Sequence, residues 1–198
     1  MIVLGIDPGT AVTGYGVVLA GGAAGSAPGA VAGARLIECG VIRTSAQAPL
    51  HERLKDIHDG VTELIARHQP DALAVEDVFY ARNVRTTLVL GHARGVILLA
   101  GATAGLAIHE YPPSVIKKTV VGTGAATKEQ VQFMVAKLLR LKHAPQPADA
   151  ADGVACALTC VLASEGPLAR LRRDAAALAP LRAVRPSARR TGVTRSKS

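Results

Sequence analysis

The order in which hydrophobic patterns follow one another constrains this chain more than any other feature: three strand-like runs come first, and helices alternate with strands only afterwards. Ile2 to Ile6 is a short apolar run closed by Asp7-Pro8-Gly9, which reads as a strand running into a tight turn. Thr13 to Leu19 reads as a second strand and Arg35 to Arg43 as a third. Between them Ala20 to Gly33 is uncharged and rich in Gly, Ala, Ser and Pro, the composition of a loose hairpin loop. Leu50 to His68 then changes period, with Leu54, Ile57, Val61, Leu64 and Ile65 on one helical face. Ala72 to Val78 is a fourth strand, Asn83 to Ala104 a long helix, and Leu106 to Tyr111 a fifth strand after Gly105. Val115 to Val121 reads as a helical turn or short helix, Thr127 to Leu141 as a clearer helix and Ala148 to Ala163 as the last. Thr127-Lys128-Glu129-Gln130 has the spacing of a capping box. Antiparallel strands need only turns between them, whereas parallel strands need crossover connections. The order therefore predicts an α/β fold: a mixed five-stranded sheet with helices on both faces.

A length of 198 residues fits one such domain and not two domains around a cleft. That argues against the two-domain ATPases and kinases of the actin-like class. Beyond Glu165, Pro167, Pro180 and Pro186 interrupt the chain while arginines accumulate. The expected organisation is a domain over 1–164 and a flexible basic tail over 165–198. The longest uncharged apolar stretch, Gly95 to Ile108, has 14 residues, against the roughly 20 that a membrane span needs. No membrane association is expected. Met1 leads directly into Ile2-Val3-Leu4, so no signal peptide is expected. Cys39, Cys156 and Cys160 are an odd number at no zinc spacing and read as free thiols of a cytoplasmic protein, the two in the last helix packing as small apolar groups.

Charge is distributed unevenly. Residues 1–78 carry a net −4, 79–143 a net +7, 144–164 a net −2 and 165–198 a net +7, for +8 overall. Basic surface flanked by acidic stretches suits a protein that grips phosphates and uses carboxylates for a separate task.

Four acids stand at the ends of the predicted elements. Asp7 closes the first strand, Glu76 lies near the end of the fourth, and Asp149 and Asp152 lie three residues apart on one face of the last helix. If the first and fourth strands are neighbours and the last helix packs over their ends, the four carboxylates converge. Such a cluster repels itself and wants a divalent cation, and oxygen-only ligands favour Mg²⁺ or Mn²⁺ over zinc. Each acid alone has an ordinary explanation: a helix cap, a turn residue, a surface charge. Asp77 adjoins Glu76, and since successive strand residues face opposite sides only one of the two can join the cluster. The pattern does not say which.

The segments GIDPGTAVTGYGVV at 5–18, VEDVFYARN at 75–83, LGHARGV at 90–96, KKTVVGTGAATKEQV at 117–131 and ADAADGVACALT at 148–159 resemble, in order, the RuvC family of bacterial Holliday-junction resolvases. The resemblance spans roughly 2–162. It implies a ribonuclease-H-like fold, a homodimer, and metal-dependent cutting of two symmetry-related strands at a four-way DNA junction during recombination and repair. It places the metal-binding and catalytic acids at Asp7, Glu76, Asp149 and Asp152, choosing Glu76 over Asp77. It further implies two Mg²⁺ per site, with Mn²⁺ able to substitute, 5′-phosphate and 3′-hydroxyl nicks, and RuvA and RuvB as branch-migration partners. The loop at 20–33 and the tail lie outside it.

Under that resemblance the basic middle of the chain is a phosphate-binding surface: Arg82, Arg85, Lys117, Lys118 and Lys128, with Lys117 and Lys128 matching lysines of the family's DNA-contacting face. GTGAATK lacks the spacing of a nucleotide P-loop. Phe79 and Tyr80 are two of five aromatics and follow the fourth strand directly. Phe79 matches a family aromatic that probes the junction centre, where stacking on a loosened base is possible. Leu88, Gly91, His92, Gly95 and Leu99 recur at three- and four-residue steps along the long helix. Core packing is the ordinary reading of such a stripe; a self-complementary dimer face is the one a twofold-symmetric resolvase needs.

Overall fold

The opening strands β1 (Ile2–Asp7), β2 (Val12–Leu19) and β3 (Arg35–Arg43) pair antiparallel as a meander. Helix α1 (Leu50–His68) then carries the chain to β4 (Ala72–Glu76), which pairs parallel with β1, and α2 (Val84–Thr103) to β5 (Ala107–Tyr111), parallel with β4. Three helices follow: α3 (Pro113–Val121), α4 (Lys128–Leu138) and α5 (Ala148–Glu165). The computed structural model describes residues 1–21, 33–77 and 84–165. Strand order is β3-β2-β1-β4-β5, the mixed five-stranded sheet that the hydrophobic order predicts.

Period-two alternation divides the core into two layers. On one face Leu4, Ile6, Val17, Leu73 and Val75 pack against Ile57, Val61 and Leu64 of α1 and Ala93 and Ile97 of α2. On the other, Val3, Val18, Ala72 and Ala74 meet α5, with α3 and α4 outside it. Helix α5 touches the sheet on one side and other helices on the other, so it is apolar nearly all round, and Cys156 and Cys160 are buried within it. It lies unusually close to the strands. A Cβ on Gly5 would strike the backbone of Gly153 and Ala157, and one on Gly153 would come within 2.5 Å of Tyr15 Cα. Gly5 beneath α5 and Gly153 above β2 thus set the height of α5 over β1 and β2.

Several boundaries differ from the predicted ones. Helix α3 begins at Pro113, two residues before Val115, because a proline in the first turn gives up an amide that had no partner there, while Val115 and Ile116 donate to the Pro112 carbonyl. Helix α4 has its capping box, with Thr127 and Gln130 bonding reciprocally, but stops at Leu138 and not Leu141. Arg140 turns left-handed (φ 55°) and Leu141 N–H donates to the Ala136 carbonyl, which closes the helix while keeping Leu139 and Leu141 in the core. Strand β4 ends at Glu76 and α5 runs on to Glu165.

Helix α2 is long and apolar enough to cross a membrane by length and composition. It is instead a sheet-packed helix: Ala93, Ile97, Ala100 and Gly101 are buried, and Arg94 forms ion pairs with Asp77 and Glu110. Its other face is open. Leu88 and Leu99 are 60% and 58% exposed, and no described residue comes within 4 Å of where a Cβ would stand on Gly91 or Gly95.

Candidate active site

The parallel pairing of β1 with β4 aligns Leu4 with Leu73, Gly5 with Ala74 and Ile6 with Val75. One step further brings Asp7 alongside Glu76. Val3, Ala72 and Ala74 face α5, so by alternation Asp7 and Glu76 face α5 as well. Asp77 faces the opposite layer, where Arg94 Nη2 lies 3.3 Å from its Oδ1. The register therefore separates the two adjacent acids that the sequence pattern left open.

The first turns of α5 complete the cluster. Its N-terminal end is pressed onto β2 at Gly14, where a Cβ would collide with the Asp149 carbonyl. Carboxylate oxygens of Asp7, Asp149 and Asp152 all lie within 4.8 Å of one another. Asp7, Glu76 and Asp152 line a pocket of about 260 Å³, walled by Pro113 and Ile116 of α3, Val131 of α4 and Ala155 of α5, with Lys117 and Lys128 among its lining residues. The apolar wall residues carry no sequence signal of a site, because their periodicity is that of any core.

Burial and mutual repulsion shift the titration of three of these acids, Asp7, Glu76 and Asp152, upward. Burial, then the nearby Asp152 carboxylate, pushes Asp7 up to about 7, with Lys128 opposing. Burial, then Asp7 and Asp152, pushes Glu76 up to about 8 against the pull of Lys117 and Lys128. Asp152 is also raised, chiefly by burial, although the hydrogen bond from Lys128 works the other way. Lys128 Nζ sits 2.7 Å from Asp152 Oδ2 and 3.5 Å from Asp149 Oδ1, and that hydrogen bond to Asp152 raises its own pKa. One ammonium is thus drawn onto two of the acids, and among the described residues no direct ion pair compensates Asp7 or Glu76. All-oxygen donors and an excess of negative charge around a cation-sized gap suit a hard divalent ion, so the residues present fit Mg²⁺ or Mn²⁺.

The remaining predicted residues are spread over the structure. Lys117 and Lys128 belong to the pocket; Lys118, next on α3, is exposed and is not among its lining residues. Arg85 is exposed in the first turn of α2. Phe79, Tyr80 and Arg82 lie outside the described residues, as do most of the 20–33 loop and all of the tail beyond Glu165. Leu88, Gly91, His92, Gly95 and Leu99 line one open apolar groove on α2, away from the acids. Arg94 lies inside the LGHARGV segment, but sequence reasoning assigned it no role, because its two acidic partners, Asp77 just past β4 and Glu110 on β5, are brought to it only by the fold.

The sequence matches the family model of crossover junction endodeoxyribonuclease RuvC over residues 3–160. The chain belongs to the RuvC family. It is 46% identical over 160 residues to the RuvC of Desulforamulus reducens, covering 80% of this chain and 91% of that one. Against the RuvC of Heliobacterium modesticaldum it is 47% identical over 162 residues, covering 81% and 93%. The Thermus thermophilus RuvC solved in complex with a Holliday junction substrate superposes with a TM-score of 0.75 at 39% identity, over 83% of this chain and 95% of that one. The yeast mitochondrial Holliday junction resolvase Ydc2 shares the fold, with a TM-score of 0.59 at 11% identity over 86% and 85%. The architecture is accordingly the ribonuclease-H-like fold of RuvC proteins.

Proposed function

We propose that this RuvC-family chain is a Mg²⁺-dependent, structure-selective endonuclease that resolves Holliday junctions by nicking two symmetry-related strands. The observation that carries the reading is that Asp7, Glu76 and Asp152, from three elements, line one pocket that two lysines border, with the Asp149 carboxylate within 4.8 Å of those of Asp7 and Asp152. These four carboxylates would hold the metal ions. Bound in a pair, such ions supply an activated water and neutralise charge on the leaving oxygen, the chemistry of in-line phosphodiester hydrolysis that leaves 5′-phosphate and 3′-hydroxyl ends.

The chain's own groups prepare the site. Asp7 and Glu76, raised to about 7 and about 8, would hold a divalent cation as carboxylates, with any proton they carry released on binding. Lys128, which pairs with Asp152 and Asp149 here, and Lys117 border the pocket where their ammonium groups would meet the phosphate backbone. The apolar wall of Ile116 and Val131 limits water around the acids and strengthens every charge interaction there. Lys118, Arg82 and Arg85 extend the basic surface to flanking phosphates, with the basic 165–198 tail beyond the 1–164 nuclease domain. Phe79, with Tyr80 beside it, selects the junction by stacking on a base loosened at its centre. A second copy docking on the α2 groove places two such pockets about a twofold axis, as two symmetric cuts require. In the cytoplasm RuvA and RuvB would deliver the migrating junction.

The test is a synthetic four-way junction set against linear duplex and RNA–DNA hybrid, each with Mg²⁺, Mn²⁺ or chelator. Paired, ligatable nicks on opposing strands of the junction alone are expected, and none in chelator. Equal cutting of linear duplex, or cutting without metal, would overturn the reading.

A further inference from the structure

On the sheet face away from the pocket, Arg94 reaches from α2 to two acids on neighbouring strands. Val75 pairs with Glu110, so Glu110 shares the face of Val75, and Asp77 lies two residues on from Val75 on that same face. Arg94 Nη2 is 3.3 Å from Asp77 Oδ1 and contacts Glu110 Oε2. The Asp77 N–H donates to the Tyr111 carbonyl at 2.9 Å, so backbone and side chain of Asp77 are both anchored to β5 or its neighbour α2. Arg94 Nε, by contrast, is buried with no hydrogen-bond partner among the described residues. A buried donor left unpaired is unfavourable, so the guanidinium is held in this place by its two carboxylates and not by a fully satisfied pocket of its own.

The position of this clamp matters because of what adjoins it. Glu76 is the last residue of β4 and Asp77 the next, and Phe79 follows two residues later. Without a cation between them, Asp77 and Glu110 would be like charges on adjacent strands, an arrangement that pushes strands apart. The displacement would fall at the end of β4 bearing Glu76, where pairing with β1 has stopped at Val75 and only β5 still holds the strand. We infer that Arg94 is a positioning residue for cleavage: by neutralising Asp77 and Glu110 it fixes the end of β4 and so the placement of Glu76 in the pocket. This rests on the proposed nuclease reading.

The experiment compares single-turnover junction cleavage across a Mg²⁺ titration for wild type, Arg94→Met and Arg94→Met with Glu110→Gln, alongside junction binding in chelator and thermal melting. A catalytic group displaced by ~1 Å costs on the order of 100-fold in rate, so Arg94→Met should lose about tenfold or more, with a raised half-saturating Mg²⁺ concentration. Junction binding should stay close to wild type, because the lysines that meet phosphate lie on the other face. Adding Glu110→Gln removes the repulsion and should restore much of the rate and of the Mg²⁺ dependence. Unchanged rate and Mg²⁺ dependence in Arg94→Met would overturn the inference. So would a loss of rate, binding and melting temperature together that Glu110→Gln does not relieve. Should Arg94→Met fail to fold, Arg94→Lys decides: a slower rate with normal melting supports the clamp, and a wild-type rate refutes it. A wild type that does not cut junctions would count against the nuclease reading, not against the clamp.

Discussion

Asp7→Asn should make the metal-free protein more stable at alkaline pH while abolishing cleavage. Asp7 is raised from its ordinary 3.8 to about 7, first by burial and then by the Asp152 carboxylate. For an acid with a raised folded-state value, the folded chain holds a proton that the unfolded chain has released. The penalty is absent below about pH 4, grows as pH rises, and is complete above about pH 7. Roughly three pH units at ~1.4 kcal/mol each set a ceiling of ~4 kcal/mol on the cost of ionising Asp7 in the folded state. Asparagine keeps the shape and removes the charge, but its amide must find a partner in a pocket of oxygens, so a net gain of about 1–2 kcal/mol is expected. For a domain of this size that corresponds to a melting temperature higher by about 2–8 °C. The assay is thermal melting in chelator at about pH 5 and about pH 8, repeated with excess Mg²⁺. Near pH 8 the variant should melt above wild type, and near pH 5 the gap should narrow sharply. Mg²⁺ should stabilise wild type by mass action and the variant far less. An equal loss of stability at both pH values would refute the reasoning, because Asp7 would then be a structural anchor and not a charge held in place for a cation.

Gly153→Ala should cost several kcal/mol in urea unfolding, since its Cβ would stand 2.5 Å from Tyr15 Cα and lift α5 from β2. Phe79→Ala should slow junction cleavage by roughly five- to hundred-fold, the ~1–3 kcal/mol of one base stack, with folding and junction binding kept. Phe79→Trp should retain much of the rate, and normal cutting by a stable Phe79→Ala protein would dismiss the stacking role. Leu88→Glu combined with Leu99→Glu, both on the open face of α2, should yield a folded monomer by light scattering that no longer makes paired cuts. Deleting 167–198 should flatten the salt dependence of DNA binding with little change in melting temperature, and an unchanged slope would mean that the tail does not touch DNA.

Local geometry made much of this architecture legible in the chain itself. Helical and strand periods depend only on neighbours along the sequence, so the succession of five strands and five helices could be read directly, as could the capping box at Thr127 and Gln130. The spacing of Asp149 and Asp152 along one helix face is of the same kind. Helix ends were less legible where a backbone exception decides them, as with the left-handed Arg140. The split between Glu76 and Asp77 is different in kind. Alternation says that they part, but only the layer in which α5 lies says which of them meets Asp7, and that depends on the burial of the whole sheet. The glycine contacts that seat α5, the attachment of Lys128 to Asp152 and the bridging of Asp77 and Glu110 by Arg94 likewise join residues far apart in sequence. Periodicity is a property of a segment, whereas a shared cleft is a property of strand register and layer packing, which exist only once the chain has folded.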